Sequence, residues 1–238
     1  MTSSGITTKF FGALGLSARW WLRSLKPAVL AVVLAIALLT VPALTTASHA
    51  MPASAPVANG VHVYLLRGVL NVFSLGLDGI AAKLEAQGIP VTITNYLGWS
   101  ILADEAAADY RSGKIHTIIL VGHSSGATVL PDMVARLSQQ GAPVKLAIGL
   151  DSVFRTSLSG RVGRYVNYYV GSGNGEPVAP TKQLHGTLEN VNVSNVPGVG
   201  HLTIEKSEIM QRRVISDIDA VAFGSRAREV SAAPALTR

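Results

Sequence analysis

The stretch Thr117–Leu130, TIILVGHSSGATVL, constrains the fold more than any other part of the chain. An unbroken apolar run enters a Gly-His-Ser-Ser-Gly knot, and small and apolar residues resume at Ala127. A run that is apolar at every position, without alternation, suits a strand buried on both faces. The segment after the knot, Ala127–Gly141, has helical composition, with a bend or a fresh start expected at Pro131. A buried strand passing directly into a helix is the repeating unit of a parallel sheet covered on both sides.

The remainder of the chain repeats this alternation. Strands are expected at Val61–Gly68, Pro90–Gly98, Lys114–Gly122, Pro143–Asp151, Arg164–Gly171 and Glu189–Pro197. Helices are expected at Ser74–Gly88, Ile101–Gly113, Ala127–Gly141 and Thr203–Phe223. The first helix carries Leu75, Leu77, Ile80, Ala81 and Leu84 at helical spacing, and the last carries Ile204, Ile209, Val214, Ile215 and Ile218. The expected fold class is α/β, a three-layer α/β/α sandwich with a mostly parallel sheet and no large lid. No internal repeat is visible.

Residues 1–50 read differently. Lys9, Arg19, Arg23 and Lys26 precede an apolar run, Ala28–Val41, which Pro42 breaks before TTASHA ends in small residues at Ser48 and Ala50. Basic, apolar, then small-x-small is the order of an export signal. Extended through Pro42 to Ala47, the run just reaches the roughly 20 residues of a spanning helix, so residues 28–47 as an uncleaved membrane anchor is the alternative. Residues 51–60 read as a Pro/Ala/Ser-rich linker, 61–223 as the folded domain and 224–238 as a flexible tail. The expected location is therefore periplasmic or secreted, with membrane association possible through the N-terminal segment.

The net charge of +6 invites a nucleic-acid reading, but four of the 20 Lys+Arg lie before residue 50, where no acid occurs. The 16 that remain face 14 Asp+Glu, a balance of only +2 with no basic, aromatic-interleaved stretch, so nucleic acid is not an expected partner. Without cysteine, the chain has neither a disulfide nor a thiol nucleophile.

Gly122-His123-Ser124-Ser125-Gly126 fits G-x-S-x-G, a turn in which a strand becomes a helix within one strained residue. That residue is Ser124. The flanking glycines leave room where side chains would clash, and the helix N-terminus with the Ser125 N–H can stabilise an oxyanion. The bland alternative is a small-residue turn without chemistry. A serine hydroxyl needs a base held by an acid, in the chain order serine, acid, histidine on such folds. His201 lies in the Gly-rich loop after the last strand and is the expected base, whereas His185 precedes that strand. His62 and His116 read as strand residues, and His123 as a structural neighbour of the elbow. Asp151, at the end of a strand, is the expected acid, because the sheet itself places it. Glu176, after the following strand, is the alternative acid. A turn or cap role is the bland reading of Asp151. Val69, in the loop after the first strand, offers the second oxyanion N–H, with Leu70 next.

The domain resembles the α/β-hydrolases. The Gly122–Gly126 knot resembles the GHSxG elbow of lipases, esterases and thioesterases. LLRGV resembles their LxHG oxyanion loop, with Arg67 in place of the usual histidine. GLDSV resembles the GLDP stretch of the pancreatic-lipase-like branch, with Ser152 in place of proline and the acid after the earlier strand. An acid after the later strand is commoner in the superfamily. The resemblance implies a serine hydrolase that cleaves carboxylic esters or thioesters through an acyl-enzyme on Ser124. It implies a small-molecule or lipid acyl ester as substrate, and neither metal nor organic cofactor. A non-catalytic acyl- or partner-binding module and an acyltransferase are the alternatives. Phe73, Trp99 and Phe154 are candidate lining residues.

Overall fold

The computed structural model describes residues 60–69 and 74–224. The expected leader, nearly all of the linker and the tail from 225 onward lie outside the described residues, as do Leu70 and Phe73. Among the described residues there are six strands: β1 (Val61–Arg67), β2 (Val91–Asn95), β3 (Thr117–His123), β4 (Val144–Leu150), β5 (Ser157–Tyr169) and β6 (Ala179–Asn192). Four α-helices accompany them: α1 (Gly76–Ala86), α2 (Trp99–Arg111), α3 (Ser125–Gln139) and α4 (Glu208–Ala222).

The strands form one all-parallel sheet in the order β2-β1-β3-β4-β5-β6. Parallel strands need covered faces, and two apolar layers supply the cover. On one face Leu77, Ile80 and Leu84 of α1 and Met210, Val214 and Ile218 of α4 pack with Leu65, Ile119, Val121 and Ile148. On the other, Leu102 and Ala106 of α2 and Leu130, Met133 and Leu137 of α3 pack with Leu66, Leu120 and Tyr165. Each fully buried large aliphatic side chain contributes roughly 1.5–3 kcal/mol relative to exposure. The three-layer α/β architecture expected from the alternation is the one observed.

The strand order reverses at β1. The chain leaves β1 for β2 on one side and returns through β3 on the other. Ligand sites of open parallel sheets form at such a reversal, outside the carboxyl ends of the strands. Here the reversal falls between β1 and β3, whose carboxyl ends lead into Gly68 and Ser124.

Some elements differ from expectation. α3 passes through Pro131 without restarting. α4 begins at Glu208, not Thr203, because residues 201–206 form turns. Ile209 then falls in the first helical turn and is exposed, and Met210, Val214 and Ile218 form the buried stripe. Strands β5 and β6 are longer than the expected 164–171 and 189–197, and each doubles back. Ala179 pairs with Ser157, yet the N–H of adjacent Val178 donates to Asn190 Oδ1 at 2.8 Å. A straight strand from 179 to 190 would hold those ends roughly 36 Å apart. The bend comes where the β5–β6 register shifts, near Gly160 and Gly186. At Gly186 the φ of 145° and a carbonyl oxygen of Val162 only 1.5 Å from where a Cβ would stand require glycine. The connections flanking β5 therefore contain extended arms where helices occur earlier in the chain.

Candidate active site

The elbow forms for steric reasons that the sequence motif encodes. Ser124 has φ 58° and ψ −123°, a strained conformation for a residue with a side chain. A Cβ on Gly122 would stand 2.5 Å from the Gly126 carbonyl, and one on Gly126 only 2.0 Å from the Leu66 carbonyl oxygen. Both neighbours are backbone and cannot yield. Glycine at both positions lets α3 start directly over the end of β3. The Ser124 N–H continues the β3–β4 pairing by donating to Leu150 O at 3.0 Å, while Thr128 N–H donates to Ser124 O. The serine is thus held between a strand end and a helix start, with Oγ raised above the sheet.

Three of the expected side chains meet there. Ser124 Oγ is 3.1 Å from His201 Nε2, and His201 Nδ1 is 2.7 Å from Asp151 Oδ2. A carboxylate can only accept, so Nδ1 carries the imidazole proton and Nε2 faces the serine hydroxyl as an acceptor. Asp151 is wholly buried, and its backbone also lies in the left-handed region, at φ 56°. Its N–H donates to Tyr168 O at 2.8 Å, and its Oδ1 accepts from the Val170 N–H at 2.6 Å. Gly175 permits this: a Cβ there would lie 1.9 Å from Oδ1. One carboxylate oxygen is fixed by the sheet edge and the other is left for the histidine.

No protein-family model matches this chain, and no curated protein matches it.

Glu176, the alternative acid, is placed elsewhere. Its N–H donates to Ser152 O, and its half-exposed carboxylate pairs with Arg155 at 3.4 Å. Asp151, not Glu176, is therefore the carboxylate in contact with His201. His185 lines a groove of about 400 Å³ with Ser138, Gly160, Arg161 and Gln183 at the far end of α3. His62 bonds Thr92 Oγ1 at 2.8 Å and stacks on Tyr64. Trp99 packs partly into the layer beneath α2 and α3, while Phe154 is exposed in the connection between β4 and β5.

The loop after β1 reaches the serine closely. A Cβ on Gly68 would stand 2.9 Å from Ser124 Cβ and 3.3 Å from Oγ. Val69 follows this contact directly and Ser125 opens α3, so both expected oxyanion donors flank the serine backbone. Asn95 Nδ2 donates to Gly68 O at 3.1 Å and Ser74 Oγ accepts from the Gly68 N–H at 3.0 Å, fixing the loop on two sides. Arg67 turns away to pair with Asp78 in the first turn of α1.

Sequence reasoning missed Ser74 and Glu205. Ser74 Oγ bonds His123 Nδ1 at 2.8 Å, and His123 Nε2 is 2.9 Å from the His201 carbonyl oxygen. Burial lowers the His123 pKa to about 4. Glu205 is wholly buried 3.7 Å from the same ring, and burial raises its pKa. A serine before a helix reads as a cap, and a glutamate in TIEKS reads as helical surface. Neither carried a signal for burial. Among the described residues no group of three or more His, Asp or Glu is placed to hold a metal ion.

Proposed function

We propose that the chain is a serine hydrolase that cleaves carboxylic esters or thioesters through an acyl-enzyme on Ser124. The continuous hydrogen-bonded series Ser124 Oγ, His201 and Asp151, at 3.1 and 2.7 Å, carries the reading. It supports the α/β-hydrolase resemblance of the Gly122–Gly126 elbow, the Gly68 loop and the Asp151 turn.

The steps follow from the geometry. His201 Nε2 takes the Ser124 hydroxyl proton as Oγ attacks the acyl carbonyl. The carbonyl oxygen becomes an oxyanion and accepts from the N–H groups of Ser125 and Val69, near the positive end of α3. His201 then gives the proton to the leaving alcohol or thiol as the carbonyl re-forms. Water, deprotonated by the same nitrogen, attacks the acyl-enzyme and releases the acid and Ser124. Asp151 holds Nδ1–H and offsets the charge of the transient imidazolium.

Apolar acyl groups fit this site best, because Val69 and Leu202, which directly follow Gly68 and His201, are exposed. The basic, apolar and small-residue order of the first 50 residues supports action outside the cytoplasm. The pairing of Arg67 with Asp78 keeps that side chain out of the oxyanion loop and supports catalysis over mere binding.

The deciding experiment uses a fluorophosphonate probe and p-nitrophenyl esters of increasing chain length. Wild type is expected to label at Ser124 and turn over esters. Ser124→Ala should not label, and Asp151→Asn should lose roughly 10³–10⁴-fold in kcat. Glu176→Gln should stay within a fewfold of wild type. Wild type that neither labels nor hydrolyses any ester of the panel would sink the proposal.

A further inference from the structure

His123 stands directly before the nucleophile position, wholly buried, with both ring nitrogens engaged. Nε2 faces the His201 carbonyl oxygen at 2.9 Å, and a carbonyl only accepts, so Nε2 carries the proton. In the neutral ring Nδ1 is then an acceptor, and Ser74 must donate to it at 2.8 Å. Ser74 Oγ keeps a lone pair for the Gly68 N–H at 3.0 Å. A single run of donors and acceptors, consistent in direction, thus joins Gly68, Ser74, His123 and the backbone of His201. It connects the loop that approaches the serine with the loop that carries the base.

We propose that His123 is a positioning residue that fixes the Gly68 loop and the His201 loop relative to Ser124 through its two ring nitrogens. The inference rests on the hydrolase reading above. Its Nδ1 arm sets where the Val69 N–H stands, and its Nε2 arm sets where the His201 ring stands. The elbow strand itself supplies the ring, so both arms are referred to the residue adjacent to the nucleophile. Neutrality is part of the device. Burial favours it, Glu205 lies beyond hydrogen-bonding distance at 3.7 Å, and Asp151, His201 and Lys206 are the other titratable groups acting on the ring. Loss of either arm loosens a group that acts in the transition state, so turnover should fall while KM holds. A displacement of about 1 Å at a reacting group costs up to about 100-fold.

Two conservative replacements separate the arms. Asn places a carbonyl oxygen near the Nδ1 position and keeps the Ser74 arm alone. Gln places an amide N–H near the Nε2 position and keeps the His201 arm alone. His123→Asn, with the base arm cut, should lower kcat about tenfold or more and move the acid limb of the kcat/KM pH profile. His123→Gln and Ser74→Ala, with the Gly68 arm cut, should lower kcat similarly and leave that limb in place. KM should change less than twofold in all three. Ring ¹⁵N NMR of wild type should show His123 as the neutral Nε2–H tautomer down to pH 5. An Nδ1–H tautomer, or protonation near pH 6.5, overturns the proposal, as do folded variants with wild-type kcat or with KM changes alone. Wild type that fails to label with fluorophosphonate at Ser124 overturns the hydrolase reading. Labelled wild type with unaffected variants overturns only the role of His123.

Discussion

Space at single atoms decides what the site residues can do. The Oδ1 atom of Asp151 occupies the place a side chain at 175 would take, and the Val170 N–H sits 2.7 Å from the same point. Gly175→Ala must therefore push the carboxylate or the Val170 backbone aside. Its kcat on a short ester is expected to fall about 10- to 100-fold, with far-UV circular dichroism unchanged; wild-type kcat would show that Asp151 is not held from that side. The buried pair beside the elbow gives pH dependence of opposite signs. His123 is depressed from 6.5 to about 4, so its contribution to stability is complete above 6.5 and is lost as pH falls towards 4. The loss is on the order of 3 kcal/mol. Urea unfolding at pH 7 and pH 4.5 should show wild type losing more stability than His123→Asn, which has nothing to protonate there. Glu205 is raised, so its contribution is complete below 4.5 and is lost as pH rises through the higher folded value. Glu205→Gln should be more stable than wild type at pH 8 and show no advantage at pH 4. Equal differences at both pH values would mean that the carboxyl is not kept neutral by burial.

Among the elements, those built on local periodicity were legible in the sequence and those built on long-range pairing were not. Helices α1, α2 and α3 start and stop within two residues of expectation, because an apolar stripe and a following glycine mark each one. The buried central strands were equally clear, since a run such as TIILV has no alternative exposed face. Ser124, Asp151 and His201 were legible for the same reason: each follows a strand end, and the sheet brings strand ends together. The arms of β5 and β6 were not legible. SLSGR and PTKQLHG mix polar and apolar residues without a period, and their pairing partners are supplied by one another. Ser74 and Glu205 escaped because burial of a polar side chain depends on what packs above it. Gly76, where a Cβ would stand 2.3 Å from the Glu205 carbonyl oxygen, allows α1 to close over that residue, and nothing adjacent in sequence signals it. The arms are nevertheless part of the core. Leu158 on the first arm is fully buried in the α2–α3 layer, so Leu158→Ala should cost about 2–5 kcal/mol by urea unfolding. A cost below 1 kcal/mol would mean that the arm lies on the surface.

Across the molecule, exposed apolar surface is distributed unevenly. The exposed large apolar side chains among the described residues are Val69, Leu75, Leu97, Ile101, Phe154, Leu202 and Ile209. Val69, Leu97, Phe154 and Leu202 stand in connections that follow β1, β2, β4 and β6, and Leu75, Ile101 and Ile209 stand at or next to the first turns of α1, α2 and α4. In a parallel sheet both kinds of position lie at the carboxyl edge, which is also the edge that carries Ser124. Single exposed apolar residues are ordinary, but their confinement to one edge is not what solubility alone would produce. No helix among the described residues is long and apolar enough to cross a membrane. On the proposed hydrolase reading, an acyl chain on Ser124 would meet this apolar edge. Each methylene removed from water contributes about 0.8 kcal/mol, so a chain that reaches the edge gains roughly fourfold in kcat/KM per carbon. Replacing Phe154 and Leu202 together by serine should leave acetate ester hydrolysis within twofold of wild type and lower kcat/KM for the octanoate ester by about tenfold or more. If both esters respond equally, the acyl chain does not touch these residues, and the apolar edge must be explained by something other than the substrate.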